Sequence, residues 1–252
     1  MIKAAYHTIK FWIIIILLSI VLGTLAVLAR LFDSSNNLSH RISSLWGRLM
    51  CTLNGIQVDV EGLEHVRRDR AQVFVANHQG FFDIFALSGF LPVQIRWVAK
   101  SSLFKIPFVG WAIAASGYIP VVRGDRKKSY QAFVATIEKL KAGNSIVIFP
   151  EGTRSEDGTI GPFKKGGLLL SVRSGAPLVP VTLLGTGNII KKGSGIIRPG
   201  RIQIVISPPI PSQAVAEEKE EHVLRTLRDI ICKNYESRQA LQAENKNTFP
   251  AG

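Results

Sequence analysis

The chain has 252 residues, a formal net charge of +13 and a pI near 10.0. Its two cysteines, Cys51 and Cys232, lie far apart and fit no metal-type spacing, so they read as free thiols in a reducing compartment and not as a disulfide framework or a zinc site. HExxH, GxSxG and a phosphate-binding Walker loop are absent, while the positive charge calls for an anionic partner: nucleic acid, a negative lipid surface or a phosphorylated substrate.

The first predicted element is apolar throughout. Residues 11–29, FWIIIILLSIVLGTLAVLA, carry no charge, and as a helix would span roughly 28 Å, close to a bilayer core. The run is longer than the ~7–15 apolar residues usual in a secretory signal. Arg30, Arg41, Arg48, Arg67 and Arg68 follow it, an excess that holds the downstream part on the cytoplasmic side of a membrane. Next, Ile42, Leu45, Trp46, Leu49, Met50 and Leu53 form one apolar stripe at helical spacing. Such a helix can lie in the membrane interface or pack on a globular core, and with its predecessor it could form a hairpin in one leaflet. The expected division is therefore 1–54 as two membrane-anchoring helices, 55–239 as a globular domain and 240–252 as a flexible tail.

After Gly55, strands alternate with helices. IQVDVEG and QVFVAN read as strands, FFDIFALSGF as a helix, QIRWVAK as a strand, KIPFVGWAIAASG as a short helical piece and YIPVV as a strand. Residues 126–143 make a strong helix, with Tyr130, Phe133, Val134, Ile137 and Leu140 on one face and Gly143 at its end. SIVIFP is a strand, GGLLLSVRSG a small helix, APLVPVTLLG and RIQIVISPPI strands, and 213–239 a charged C-terminal helix. The expected class is α/β, a mixed, largely parallel sheet flanked by helices. Functional residues in such folds gather on loops beyond strand ends.

Two loops there carry chemistry. In VFVANHQGFFDIF, His78 and Asp83 are five residues apart, a spacing at which neither a helix nor a strand brings them together. A turn at Gln79-Gly80 would let them face each other; alternatively, His78 is a core histidine and Asp83 caps the helix from Ile84. In FPEGTRS, Pro150 ends a strand, Gly152 allows close approach to a ligand and Arg154 offers a planar fork for phosphate or carboxylate. Glu151 could accept from a hydroxyl or hold the arginine, or the two could form a plain surface ion pair. GYIPVVRGD ends in Arg123, and Lys100 and Lys105 follow a strand. Pro177 and Pro180 in APLVPV read as structural.

In order and spacing these blocks resemble the glycerolipid acyltransferase family, specifically the 1-acylglycerol-3-phosphate acyltransferases. The resemblance covers residues 55–210 and the two preceding helices, through His78–Asp83, Gly117–Arg123, Phe149–Ser155 and Ala176–Val181. Gly80 stands where a serine is common and Pro120 where phenylalanine is frequent. The resemblance implies His78 and Asp83 as a catalytic pair acting without a metal or an acyl-enzyme. It implies Arg154, with Glu151, Gly152 and Thr153, at the acceptor's phosphate, and Arg123 and Lys100 as further candidates. The implied substrates are lysophosphatidic acid and a thioester on coenzyme A or acyl carrier protein, met at a lipid bilayer and not at nucleic acid. Competing expectations keep the chemistry with another lysolipid acceptor, replace the acceptor by water, or reduce the chain to a non-catalytic basic membrane-binding protein.

Overall fold

Period-2 alternation along the strands divides the protein into two apolar cores on opposite faces of one sheet. The computed structural model describes residues 2–122, 124–155, 158–191 and 193–248, with side chains described up to position 241. Among them the strands are β1 (Gln57–Glu61), β2 (Val73–Ala76), β3 (Ile95–Lys100), β4 (Ile119–Val121), β5 (Ser145–Ile148), β6 (Leu178–Leu184) and β7 (Arg201–Ile206). Their order is β1-β7-β6-β2-β5-β3-β4, and every neighbouring pair is parallel except β6 and β7. The sheet is thus mixed and largely parallel. Each strand falls in one of the expected apolar runs, and central β2 and β6 are buried along their whole length, as strands covered on both faces must be.

The helices are α1 (Ile2–Ala29), α2 (Asn37–Thr52), α3 (Phe82–Phe90), α4 (Val109–Ala115), α5 (Arg126–Lys141), α6 (Gly166–Ser174), α7 (Thr186–Ile189), α8 (Ser212–Glu217) and α9 (Glu220–Thr248). Phe74 and Ala76 of β2 face a core completed by Phe11 of α1, Met50 of α2 and Phe82 and Phe85 of α3. Val73 and Val75 face the other core, under Leu140 of α5, Leu168 of α6, Val215 of α8 and Leu227 of α9. Each of the larger side chains among these contributes roughly 1.5–3 kcal/mol by leaving water. Asp125 accepts from the Lys128 backbone N–H and so caps α5.

The two N-terminal helices differ in kind. Only α1 is long and apolar enough to cross a membrane among the described residues. It seats Phe11, Ser19, Gly23, Ala26 and Ala29 on the protein and leaves most of its other apolar side chains bare. The expectation of two membrane-embedded helices therefore holds by length for α1 alone. The 16-residue α2 turns much of its stripe inward: Met50 is buried and Trp46 meets Phe85 edge to face at 4.8 Å. Its crossing with α3 is close because Gly47 and Gly89 lie in the contact. A Cβ on Gly47 would stand 2.8 Å from the Phe85 carbonyl oxygen, and one on Gly89 2.6 Å from the Arg48 nitrogen.

At the other end, the single helix expected over 213–239 is two, α8 and α9, and α9 continues to Thr248. ALQAENKN holds helix-favouring residues with no glycine, and no proline intervenes before Pro250, so nothing stops the helix at 239.

Candidate active site

β2 and its neighbours β5 and β6 run parallel in the middle of the sheet, so the loops after β2 and β5 emerge side by side. Where β2 ends, buried Asn77 replaces the ladder. Its side-chain amide donates to the Leu183 carbonyl at 2.9 Å, and its oxygen accepts from the Leu183 N–H at 2.7 Å. The chain leaves the sheet from this clamp at a fixed point, and His78 is the next residue.

The Gln79-Gly80 turn brings Asp83, in the first turn of α3, back to the imidazole. His78 Nδ1 and Asp83 Oδ2 are 2.6 Å apart. The same oxygen accepts from the backbone N–H groups of Gln79 at 2.8 Å and Gly80 at 2.9 Å. Asp83 is therefore not the helix cap of the alternative arrangement; it ties the turn to the ring. Gly80 fits because a Cβ there would stand 2.5 Å from the Thr186 carbonyl oxygen, which gives a steric reason for glycine at this position.

A carboxylate only accepts, so Nδ1 is the donor, and in the neutral imidazole this leaves the lone pair on Nε2. Nε2 has no hydrogen-bond partner among the described residues. The His78 side chain is 18% exposed while that of Asp83 is fully buried, so the pair is anchored within the protein and reachable from outside. Phe149, at the end of β5, stacks on the imidazole at 4.0 Å with an 11° interplanar angle. Trp97 of β3 stacks behind it at 5.5 Å, and its indole N–H donates to Ser88 of α3.

Glu151 reaches across from the β5 loop. One of its oxygens accepts from the His78 backbone N–H at 2.8 Å and the other from the Gly161 N–H at 3.0 Å. The Ser155 N–H donates to the His78 carbonyl at 2.9 Å. Together these bonds fasten FPEGTRS to the histidine turn from both sides. Gly152 takes φ +77°, a left-handed conformation glycine adopts without strain, and the Lys164 ammonium packs against it, 2.7 Å from where a Cβ would stand. Thr153 is exposed and Arg154 half-buried on the same loop.

Of the residues expected at the site, His78, Asp83, Glu151 and Gly152 are thus brought together, with Thr153 and Arg154 directly following. Lys100 is exposed at the C-terminal end of β3, on the strand-end side that carries the site. Arg123 lies outside the described residues. Asn77, Phe149, Gly161 and Lys164 were not singled out from sequence. No group of three or more His, Cys, Asp or Glu side chains among the described residues is arranged to hold a metal.

The acyltransferase family model matches residues 57–184, a segment that includes His78, Asp83 and the whole FPEGTRS loop. The chain belongs to this family. Within the acyltransferases it is similar to the 1-acyl-sn-glycerol-3-phosphate acyltransferases. It is 39% identical over 173 residues to the chloroplastic enzyme BAT2 of Brassica napus, covering 68% of this chain and 50% of that one. It is 34% identical over 185 residues to the Pseudomonas aeruginosa protein, covering 70% and 71%. The chain spans about half the length of the chloroplastic enzymes of Brassica napus and Arabidopsis thaliana that it matches. The crystal structure of the 1-acyl-sn-glycerophosphate (LPA) acyltransferase PlsC from Thermotoga maritima superposes with a TM-score of 0.84 at 30% identity, covering 95% of this chain and 97% of that one. This acyltransferase thus shares its architecture from the N-terminal helices onward. With the bare apolar side of α1, the likeness supports association with a membrane.

Proposed function

We propose that the protein transfers an acyl chain from a thioester, carried on coenzyme A or acyl carrier protein, to the 2-hydroxyl of 1-acylglycerol-3-phosphate, giving phosphatidic acid. The observation that carries this reading is the His78–Asp83 pair at 2.6 Å with Nε2 open to a ligand. Nε2 takes the proton of the acceptor hydroxyl as its oxygen attacks the thioester carbonyl. Asp83 stabilises the imidazolium that forms. Collapse of the tetrahedral intermediate expels the thiolate, which receives the proton from His78, and the ring returns to its starting state.

The protein supplies no nucleophile of its own in this scheme. Burial pushes the Cys51 thiol up to about 12 and raises that of Cys232, so neither is a ready thiolate at neutral pH. Arg154 is assigned to the acceptor's phosphate, with Lys164 and Lys100 as supporting cations and Thr153 as a hydroxyl donor on the same turn. Arg123 keeps its candidacy from sequence. Glu151 has both oxygens engaged by backbone N–H groups, which favours a role in holding the His78 turn over one in gripping an anion.

The membrane arrangement that best suits this chemistry embeds the α1–α2 hairpin in one leaflet, with the catalytic domain on the cytoplasmic face. Phe11 of α1 packs on Phe82, the residue before Asp83, at 5.8 Å, so α1 passes beside the histidine turn. Because α1 is seated on the protein from Phe11 to Ala29, crossing the whole bilayer would drag the polar domain in with it.

The test is incubation of purified protein with lysophosphatidic acid and each labelled thioester, wild type beside His78→Ala. Labelled phosphatidic acid from the wild type alone is the expected result. Labelled free fatty acid without new diacyl lipid would replace the transferase reading by a hydrolase.

A further inference from the structure

We propose that the segment from Leu103 to Trp111 is a second membrane-inserting element, entering an anionic phospholipid bilayer beside α1. The inference rests on the reading that α1 lies in the bilayer. Leu103 is 42% exposed, Ile106 45% and Trp111 52%, with Pro107 bare between them. Apart from the N-terminal helices, Leu31 and Phe32 in the turn that joins them, and the pair Tyr130 and Val134 on α5, the other large exposed apolar side chains are scattered, which is ordinary for a protein surface. Three within nine residues make a patch, and patches mark contact sites.

The segment packs directly on the protein-facing side of α1. Gly23 of α1 sits so close to Phe108 that a Cβ would stand 2.9 Å from the Phe108 carbonyl oxygen. The segment is therefore held against α1 with no room between the two backbones, next to the helix read as lying in the bilayer. The backbone at this contact is strained. Phe108 has φ 61° and ψ −56°, and the Val109 N–H closes on the Pro107 carbonyl at 2.7 Å. This is the rare positive-φ γ-turn, unfavourable for a bulky residue and maintained only where the surroundings demand it. Here it leaves Ile106 and Pro107 as an exposed tip. Its flanks suit a bilayer surface: Lys100 and Lys105 stand exposed at the two ends of the 3-10 turn Ser101–Lys105, in reach of phosphate headgroups, and Trp111 is of the type that settles at the interface.

The experiment places an environment-sensitive dye on Ile106→Cys, on Ile16→Cys in α1 and on Val134→Cys in α5, each in a Cys232→Ser background. The labelled proteins bind vesicles of phosphatidylglycerol and phosphatidylethanolamine containing nitroxide lipids. Quenching at positions 16 and 106, with position 134 open to aqueous iodide, is the expected result. Quenching at 16 but not at 106 overturns the second insertion and leaves the seating of α1 intact. Absence of quenching at both overturns the two together. Independently, Ile106→Asp is expected to lower vesicle partition at limiting lipid by roughly tenfold or more, as loss of a lipid-buried isoleucine requires. Partition equal to wild type would contradict the insertion.

Discussion

His78 stands 2.6 Å from a buried carboxylate and offers Nε2 to a ligand; His40 has both ring nitrogens committed inside the protein. The tautomer is the same in the two. His40 Nε2 accepts from the Ile95 N–H at 3.3 Å, so its proton is on Nδ1, 3.2 Å from the Tyr118 hydroxyl oxygen. The environments differ. His40 is 2% exposed and lies near Arg96, a fully buried guanidinium that donates to Asn37, Gln94 and the Ile95 carbonyl and forms no ion pair with a carboxylate among the described residues. Burial, and then the charge of Arg96, pull the His40 pKa from 6.5 down to about 3. A neutral imidazole with both nitrogens used is a pin between α2 and β3. The same imidazole with one nitrogen held by a carboxylate and the other free is a base awaiting a proton. What separates the roles is the partner on one nitrogen and the vacancy on the other.

The largest expected effect breaks this contrast at its active end. His78→Ala is predicted to lower turnover by about 10²–10⁴-fold, the usual contribution of a positioned general base, while the melting temperature stays near wild type. His40→Gln is predicted to do the reverse, lowering the melting temperature while turnover per folded molecule holds. Parallel assays and thermal melts of the two variants decide it. Equal losses of turnover from both would show that the open nitrogen is not what matters.

A smaller effect sharpens the contrast. Glu151 holds the His78 main chain from 73 positions away, and in Glu151→Gln one oxygen becomes an NH₂ group facing an N–H donor. Losing one charge-assisted bond is worth about 1.5–3 kcal/mol, so turnover should fall roughly 10- to 100-fold if the displaced turn moves the imidazole. The KM for lysophosphatidic acid is predicted to change less than kcat. A rise confined to KM would return Glu151 to the acceptor's headgroup.

The sequence exposes one of these layers and hides the other. Central β2 and β6 announce themselves as short apolar runs, because a strand covered on both faces has little room for polar residues, while edge strand β1 (QVDVE) reads by alternation. His78 and Asp83 are legible because they are five residues apart around a glycine turn, so a local argument suffices. Glu151 is visible as a residue, but its partners are backbone N–H groups of Gly161 and His78, which leave no side-chain signature. The Asn77 clamp on Leu183 spans 106 positions and the Phe149 stack on His78 spans the gap between two strands. Such contacts follow from strand order, and periodicity within one segment does not contain strand order. The stripe on α2 shows the same limit: its spacing fits a membrane surface or a core equally, and the Gly47–Gly89 crossing that turns it toward α3 appears only when the helices are placed. His40 reads in sequence as one polar residue in SHRISS, with nothing to mark it as buried.

The smallest predicted effect tests the structural histidine alone. Because the folded-state pKa of His40 lies below its unfolded value, the unfolded chain takes up the proton first. Stability is therefore complete above about pH 6.5 and falls as pH drops from there toward about 3. Between pH 7 and pH 5 the loss amounts to about 2 kcal/mol, or roughly 4–8 °C in melting temperature for a chain of this size. His40→Gln has no proton to gain, so its melting temperature should start lower and stay flatter over the same range. Melting curves at pH 7, 6 and 5 check this directly. A variant that keeps the wild-type slope would move the acid sensitivity elsewhere and leave His40 a pin without a pH signature.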